Sequence, residues 1–111
     1  MMQNYKHDVS PDWGVATQMV HGGLTRSQHA ETAEAIYMTS GYVYQSAEEA
    51  QAAFDNSRPR FVYGRFGNPT VAMFEERMAL LEGAEAARAT ASGMAAVFAS
   101  IACLVKGGVR V

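Results

Sequence analysis

Two short stretches of this chain carry residue types suited to holding an oxyanion. In Phe61-Val62-Tyr63-Gly64-Arg65-Phe66-Gly67, a phenol and a guanidinium stand two positions apart. On an extended segment that spacing sends both side chains from one face. A hydroxyl donor and a forked cation, flanked by glycines, suit a group such as phosphate. The second stretch is Ala91-Ser92-Gly93-Met94-Ala95-Ala96. It lies between a small apolar run, 86–91, and a run with Met94, Val97, Phe98, Ile101, Leu104 and Val105 at helical spacing. That order reads as strand, tight Ser-Gly turn, helix. A helix start offers unpaired N–H groups and the positive end of the dipole, and a glycine there admits a ligand close to the backbone. Taken singly, each stretch also has a plainer reading. A Ser-Gly before a helix is more often only a cap, and spacing alone favours a packed Tyr63 with a solvated Arg65.

The elements that would position these residues follow from caps and periodicity. Asn68 is a good N-cap and Pro69 suits the first helical position. Val71, Phe74, Met78 and Leu81 then share one helical face, and Gly83 is a natural stop. Ser46-Ala47-Glu48-Glu49 is a capping box, predicting a short helix over Ala47–Asp55. Residues 35–44, rich in Ile, Tyr, Thr and Val, read as extended, with Tyr37, Tyr42 and Tyr44 packing. Residues 56–60 read as a polar loop and Val20–Gly23 as a turn. Residues 1–19 show no dependable period, although Trp13 is available to pack a partner surface. Lys106-Gly107-Gly108 closes the last helix, and Val109-Arg110-Val111 reads as the start of another strand.

The whole chain has 111 residues, enough for one small domain, and its 49% hydrophobic content is that of a globular protein. A net charge of -2 gives no support to nucleic-acid binding. No apolar run is long enough to span a bilayer, and residues 1–11 lack the apolar core of a signal peptide. The single cysteine, Cys103, allows no internal disulfide and suits a reducing cytoplasm. Its place in an apolar helical run makes it a packing residue. His7, His21 and His29 have no metal-ligand spacing.

Three ordered blocks carry a resemblance. Tyr63-Gly64-Arg65-Phe66-Gly67-Asn68-Pro69-Thr70 is similar to the Tyr-Ser-Arg-x-x-Asn-Pro-Thr motif of the Cys/Met-metabolism family of pyridoxal-phosphate (PLP) enzymes. Leu80-Leu81-Glu82-Gly83-Ala84-Glu85-Ala86-Ala87 and Ser92-Gly93-Met94-Ala95-Ala96 resemble the next two family blocks, in order and at the usual separation. The likeness runs from about Thr17 to the last residue. Gly64 stands where the family usually has serine, which leaves Tyr63 and Arg65 in place. The wording of Val20-His21-Gly22-Gly23 and of Ala33–Tyr42 points, within the family, to the sulfhydrylases that make homocysteine from O-succinylhomoserine and sulfide. Cystathionine γ-synthase and methionine γ-lyase, of the same family, and a non-catalytic truncated product remain alternatives.

The resemblance implies an α/β fold: an N-terminal arm, residues 1–60, followed by the first elements of an aspartate-aminotransferase-like (type I) large domain, residues 61–111, truncated inside its first α/β unit. It implies PLP as cofactor. The backbone amides of Gly93 and Met94 would bind the PLP phosphate of their own subunit. Tyr63 and Arg65 would reach the PLP phosphate of the neighbouring subunit. The expected assembly is a dimer sharing active sites, and a tetramer of two such dimers, in the cytoplasm. The arm would wrap a neighbour. The lysine to which PLP attaches, the acid opposite its ring nitrogen and the aromatic that stacks on it come later in the family. Only Lys6 and Lys106 occur here, neither in the family's lysine motif. The chain alone is therefore expected to be inactive, with no catalytic residue of its own.

Overall fold

The computed structural model describes residue 10 and residues 12–108. Lys6, His7, Pro11 and the strand expected at 109–111 lie outside the described residues. Four helices occur among those described: α1 (Val15–His21), α2 (Ala47–Phe54), α3 (Pro69–Glu82) and α4 (Gly93–Ala102).

α3 is the centre of the fold, and its ends are set by local chemistry. The Asn68 carboxamide oxygen accepts from the Thr70 N–H, Pro69 occupies the first turn, and Gly83 closes the helix in the left-handed conformation at φ 61°. α2 starts as its capping box requires, with the Ser46 hydroxyl accepting from the Glu49 N–H. The Glu49 carboxylate reaches back to the Gln45 N–H and also pairs with Arg60.

α1 corrects the irregular reading of residues 13–19. Its sequence, VATQMVH, has no side-chain cap at Gly14 and forms against α3 rather than from local signals. The turn after it explains the paired glycines. Gly23 sits at φ 69°, and a Cβ there would stand 2.8 Å from both the Met73 carbonyl oxygen and the Arg77 nitrogen. Only glycine allows that approach. Leu24 comes next, and with Ala53 and Met73 it makes up the buried apolar set of the described residues. Arg77 fixes the junction by donating from Nε to the Gly22 carbonyl at 2.9 Å and from Nη1 to Glu34 at 2.8 Å.

Residues 35–44 run without a ladder, and their burial alternates. Ala35, Tyr37, Tyr42 and Tyr44 are partly buried, whereas Ile36, Met38 and Val43 are exposed. Tyr42 packs on Phe61 and Tyr44 on Phe54, so these two pack as expected, while Tyr37 is held through its backbone. The run touches the 61–67 stretch through one antiparallel bridge, Gly41 to Tyr63. Trp13 lies against His21, ring centroids 6.0 Å apart.

Two expected strands are corrected. Residues 86–91 form no strand, since a strand exists only with a neighbour to pair with and none is present among the described residues. The Ala89 N–H instead donates to the Glu75 carboxylate at 2.8 Å. Residues 61–67 are not a straight extended segment either, because the chain turns over 64–66. Cys103 is exposed at the end of α4, not packed. No helix is long and apolar enough to cross a membrane among the described residues.

Candidate functional site

The turn that carries Tyr63 and Arg65 is closed by the Tyr63 carbonyl, which accepts from the Phe66 N–H at 2.9 Å and the Gly67 N–H at 3.1 Å. Turning the chain brings the two side chains together in a way that extended spacing did not anticipate. The Arg65 guanidinium lies over the Tyr63 ring and over the Phe66 ring, 5.2 Å from each centroid. Among the described residues it makes no ion pair. It is a cation held by aromatic faces with its five N–H donors unspent. Arg65 also lines a groove of about 930 Å³, together with Phe66, Asn68, Glu75, Arg88 and Ala91.

At the other stretch, Ser92 is the N-cap of α4. Its hydroxyl accepts from the Ala95 N–H at 3.2 Å, and its carbonyl accepts from the Ala96 N–H at 3.1 Å. The Gly93 and Met94 N–H groups, the first two of the helix, meet no protein acceptor among the described residues. A Cβ on Gly93 would meet nothing within 4 Å, so the helix start is open to a ligand. The groove that Arg65 lines reaches as far along the second stretch as Ala91. Neither Gly93 nor Met94 lines the Arg65 groove, and neither does Tyr63.

Behind both stretches stands α3. Glu75 takes the Ala89 N–H on one carboxylate oxygen and Arg88 Nη1, at 3.0 Å, on the other, tethering the chain that leads to Ser92. Asn68 and Thr70 hold residues 35–39. The Asn68 amide donates to the carbonyls of Tyr37 at 2.8 Å and Thr39 at 3.3 Å. The Thr70 hydroxyl accepts from the Tyr37 N–H at 2.8 Å and donates to the Ala35 carbonyl at 3.4 Å. Sequence reasoning saw Asn68 only as a cap and gave Thr70 no role of its own. Caps are legible because they are local; bonds across some thirty residues leave no local trace.

Residues 16–111 match the family model for Cys/Met metabolism PLP-dependent enzymes. The chain belongs to that family. Family members with curated names are similar over most of this chain. An O-succinylhomoserine sulfhydrylase of Mycobacterium tuberculosis is 58% identical over 95 residues, covering 86% of this chain and 23% of the relative. Another, of Pseudomonas aeruginosa, is 48% identical over 92 residues, covering 83% of this chain and 23% of the relative. An L-methionine gamma-lyase of Porphyromonas gingivalis is 38% identical over 95 residues, 86% of this chain and 24% of the relative. The chain thus spans about a quarter of the length of the curated relatives it matches.

PLP is the cofactor of the family, and the donor sets found here fit its phosphate. Two unspent N–H groups at an open helix start and an unpaired guanidinium beside a phenol are both oxyanion donors. They do not supply the rest of the cofactor's needs. Lys106, the lysine among the described residues, sits just after α4 and is exposed.

Proposed function

We propose that this chain supplies the phosphate-binding residues of a PLP-dependent O-succinylhomoserine sulfhydrylase, which makes homocysteine from O-succinylhomoserine and sulfide in the cytoplasm. The observation that carries the choice of activity is the 58% identity to a relative bearing that name, against 38% to an L-methionine gamma-lyase. In this reading residues 1–60 are an oligomerising arm and residues 61–111 begin the cofactor-binding α/β domain. The further sheet and the catalytic residues belong to sequence beyond this stretch. The arm's alternation suits an oligomeric role. One face of 35–44 packs on its own chain and the other shows Ile36, Met38 and Val43 outward.

The chain's own residues divide the binding work. Gly93 and Met94 donate their N–H groups to two phosphate oxygens, assisted by the α4 dipole. Arg65 and the Tyr63 hydroxyl donate to the phosphate of a neighbouring subunit, in a homodimer that pairs again into a tetramer. Ser92 spends its hydroxyl on Ala95, which keeps the helix start ordered while leaving the two preceding N–H groups for the ligand. PLP, when bound, supplies the electron sink for bond cleavage at the substrate's amino-acid carbons.

The test is product analysis on the intact protein, loaded with PLP and offered O-succinylhomoserine with and without sulfide and, separately, methionine. Homocysteine formed in proportion to sulfide supports the proposal. Release of a keto acid and a thiol from methionine, with no sulfide-dependent product, would replace it with the lyase reading that the 38% identity leaves standing. The isolated 111-residue chain is expected to turn over neither substrate.

A further inference from the structure

We propose that Asn68 and Thr70 are positioning residues whose bonds to residues 35–39 set the turn that presents Arg65 to a phosphate. The inference rests on the reading of Arg65 as a phosphate contact and extends it to residues that touch no ligand.

The residue types are more particular than capping requires. An N-cap needs only an acceptor, which Ser, Asp or Thr would also supply. Asn68 uses its oxygen for that purpose, on the Thr70 N–H at 2.9 Å. Its amide nitrogen, which Ser, Thr and Asp lack, goes to the Tyr37 and Thr39 carbonyls. Thr70 likewise spends its hydroxyl on a segment 33 residues away rather than on its own helix. Tyr37 is therefore held by its N–H through Thr70 and by its carbonyl through Asn68.

A few residues beyond Tyr37, the chain meets the turn. The Ser40 carbonyl accepts from the Gly64 N–H at 2.7 Å, and Gly41 bridges Tyr63. The contact is close, since a Cβ on Gly64 would stand 3.3 Å from the Ser40 Cα. Arg65 lies one residue beyond that contact, in the same turn. Two side chains of α3 and its cap thus set the register of 35–41, and 35–41 seats the turn. If the clamp is loosened, the guanidinium loses its fixed place while remaining charged and present.

The experiment uses the intact protein stripped of cofactor and measures affinity for PLP and for pyridoxal, which lacks the phosphate. The ratio of the two affinities isolates the phosphate contact from general damage to the fold. Thr70→Val keeps the shape and removes the hydroxyl. It is expected to lower the PLP-to-pyridoxal ratio by about tenfold, and Thr70→Ser to restore most of it. Asn68→Ser keeps a cap acceptor, adds no charge and removes the amide donor, and should lower the ratio similarly; it decides the matter if Thr70→Val does not fold. Arg65→Ala reports on the underlying reading. A ratio lowered by Arg65→Ala but unchanged by Thr70→Val and Asn68→Ser would overturn the clamp and leave Arg65 as a phosphate contact. A ratio unchanged by Arg65→Ala would overturn both. Equal loss of PLP and pyridoxal affinity in the clamp variants would also overturn the inference, because it marks a merely structural role.

Discussion

Arg65 shows how much a single turn changes the meaning of two residues. On a strand, Tyr63 and Arg65 would have pointed the same way side by side. On the turn, the guanidinium lies over the phenol instead, and its donors stay free for an anion. The types were legible in the sequence and the geometry was not, because turn and strand both tolerate the pattern Tyr-Gly-Arg. If the two donor pairs serve different subunits, their variants should complement. Arg65→Ala is expected to weaken PLP binding by about 10- to 100-fold, the range of a charged hydrogen bond. Gly93→Pro removes one N–H at a helical position that accepts proline, next to a Ser92 already in the extended region at φ -155° and ψ 156°. Each variant alone should bind PLP weakly at every site. Randomly mixed subunits of the two should regain about one full-affinity site in four, read by cofactor absorbance in a two-fold dimer. No recovery would place both pairs in one subunit. A second residue-scale expectation concerns acid. The Arg77 hydrogen bond holds the Glu34 carboxyl below its ordinary range. Its folded value is thus lower than its unfolded one, so the stabilisation is present above the ordinary carboxylate range and is lost as the pH falls through the lowered value. In thermal melts of the intact protein, the advantage over Glu34→Gln should shrink between about pH 5 and pH 3.

α3 is the element that the others depend on, and it is also the one its own sequence announces most fully. A cap, a first-turn proline and a terminal glycine agree over Pro69–Glu82, whereas the apolar face expected at Val71, Phe74, Met78 and Leu81 is corrected, since Met73 is the buried residue and Val71 and Phe74 are exposed. α2 and α4 were legible for the same reason, each having a serine N-cap. α1 was not, since its start is a glycine and its support comes from α3. The 86–91 run misled in the opposite direction. Small apolar residues read as a buried strand, but pairing is supplied by other segments, and here one side chain of α3 substitutes for it. Glu75→Ala, which removes both acceptor oxygens, is expected to free that run. Hydrogen exchange of the intact protein should speed up at the Ala89 amide, while amides in the middle of α3 keep their rates. Unchanged exchange at Ala89 would mean that another partner holds the run in the assembled protein.

At the scale of the whole chain, the described structure leaves much apolar surface uncovered. The accessible area is 9024 Å², against about 6000 Å² for a compact monomer of this mass. The radius of gyration is 17.0 Å, against about 13 Å for a compact chain of this length. α4 presents Met94, Val97, Phe98 and Ile101 to solvent. Patches of that kind associate. The isolated 111-residue chain is expected to sediment as a concentration-dependent mixture, and the double variant Phe98→Ser with Ile101→Ser to shift it toward monomer. A sharp monomeric melt of the unaltered chain would contradict this. The long-range bonds of α3 also order events during synthesis. Tyr37 leaves the ribosome 33 residues ahead of Thr70, which at ordinary translation speeds is a delay of between about 2 and 7 seconds. Through that interval the backbone groups of Ala35, Tyr37 and Thr39 have none of their α3 partners, although Phe54 and Phe61, on which Tyr44 and Tyr42 pack, are already made. The clamp on Tyr37 is therefore the last hold on this stretch to become available, after the packing of its two later tyrosines.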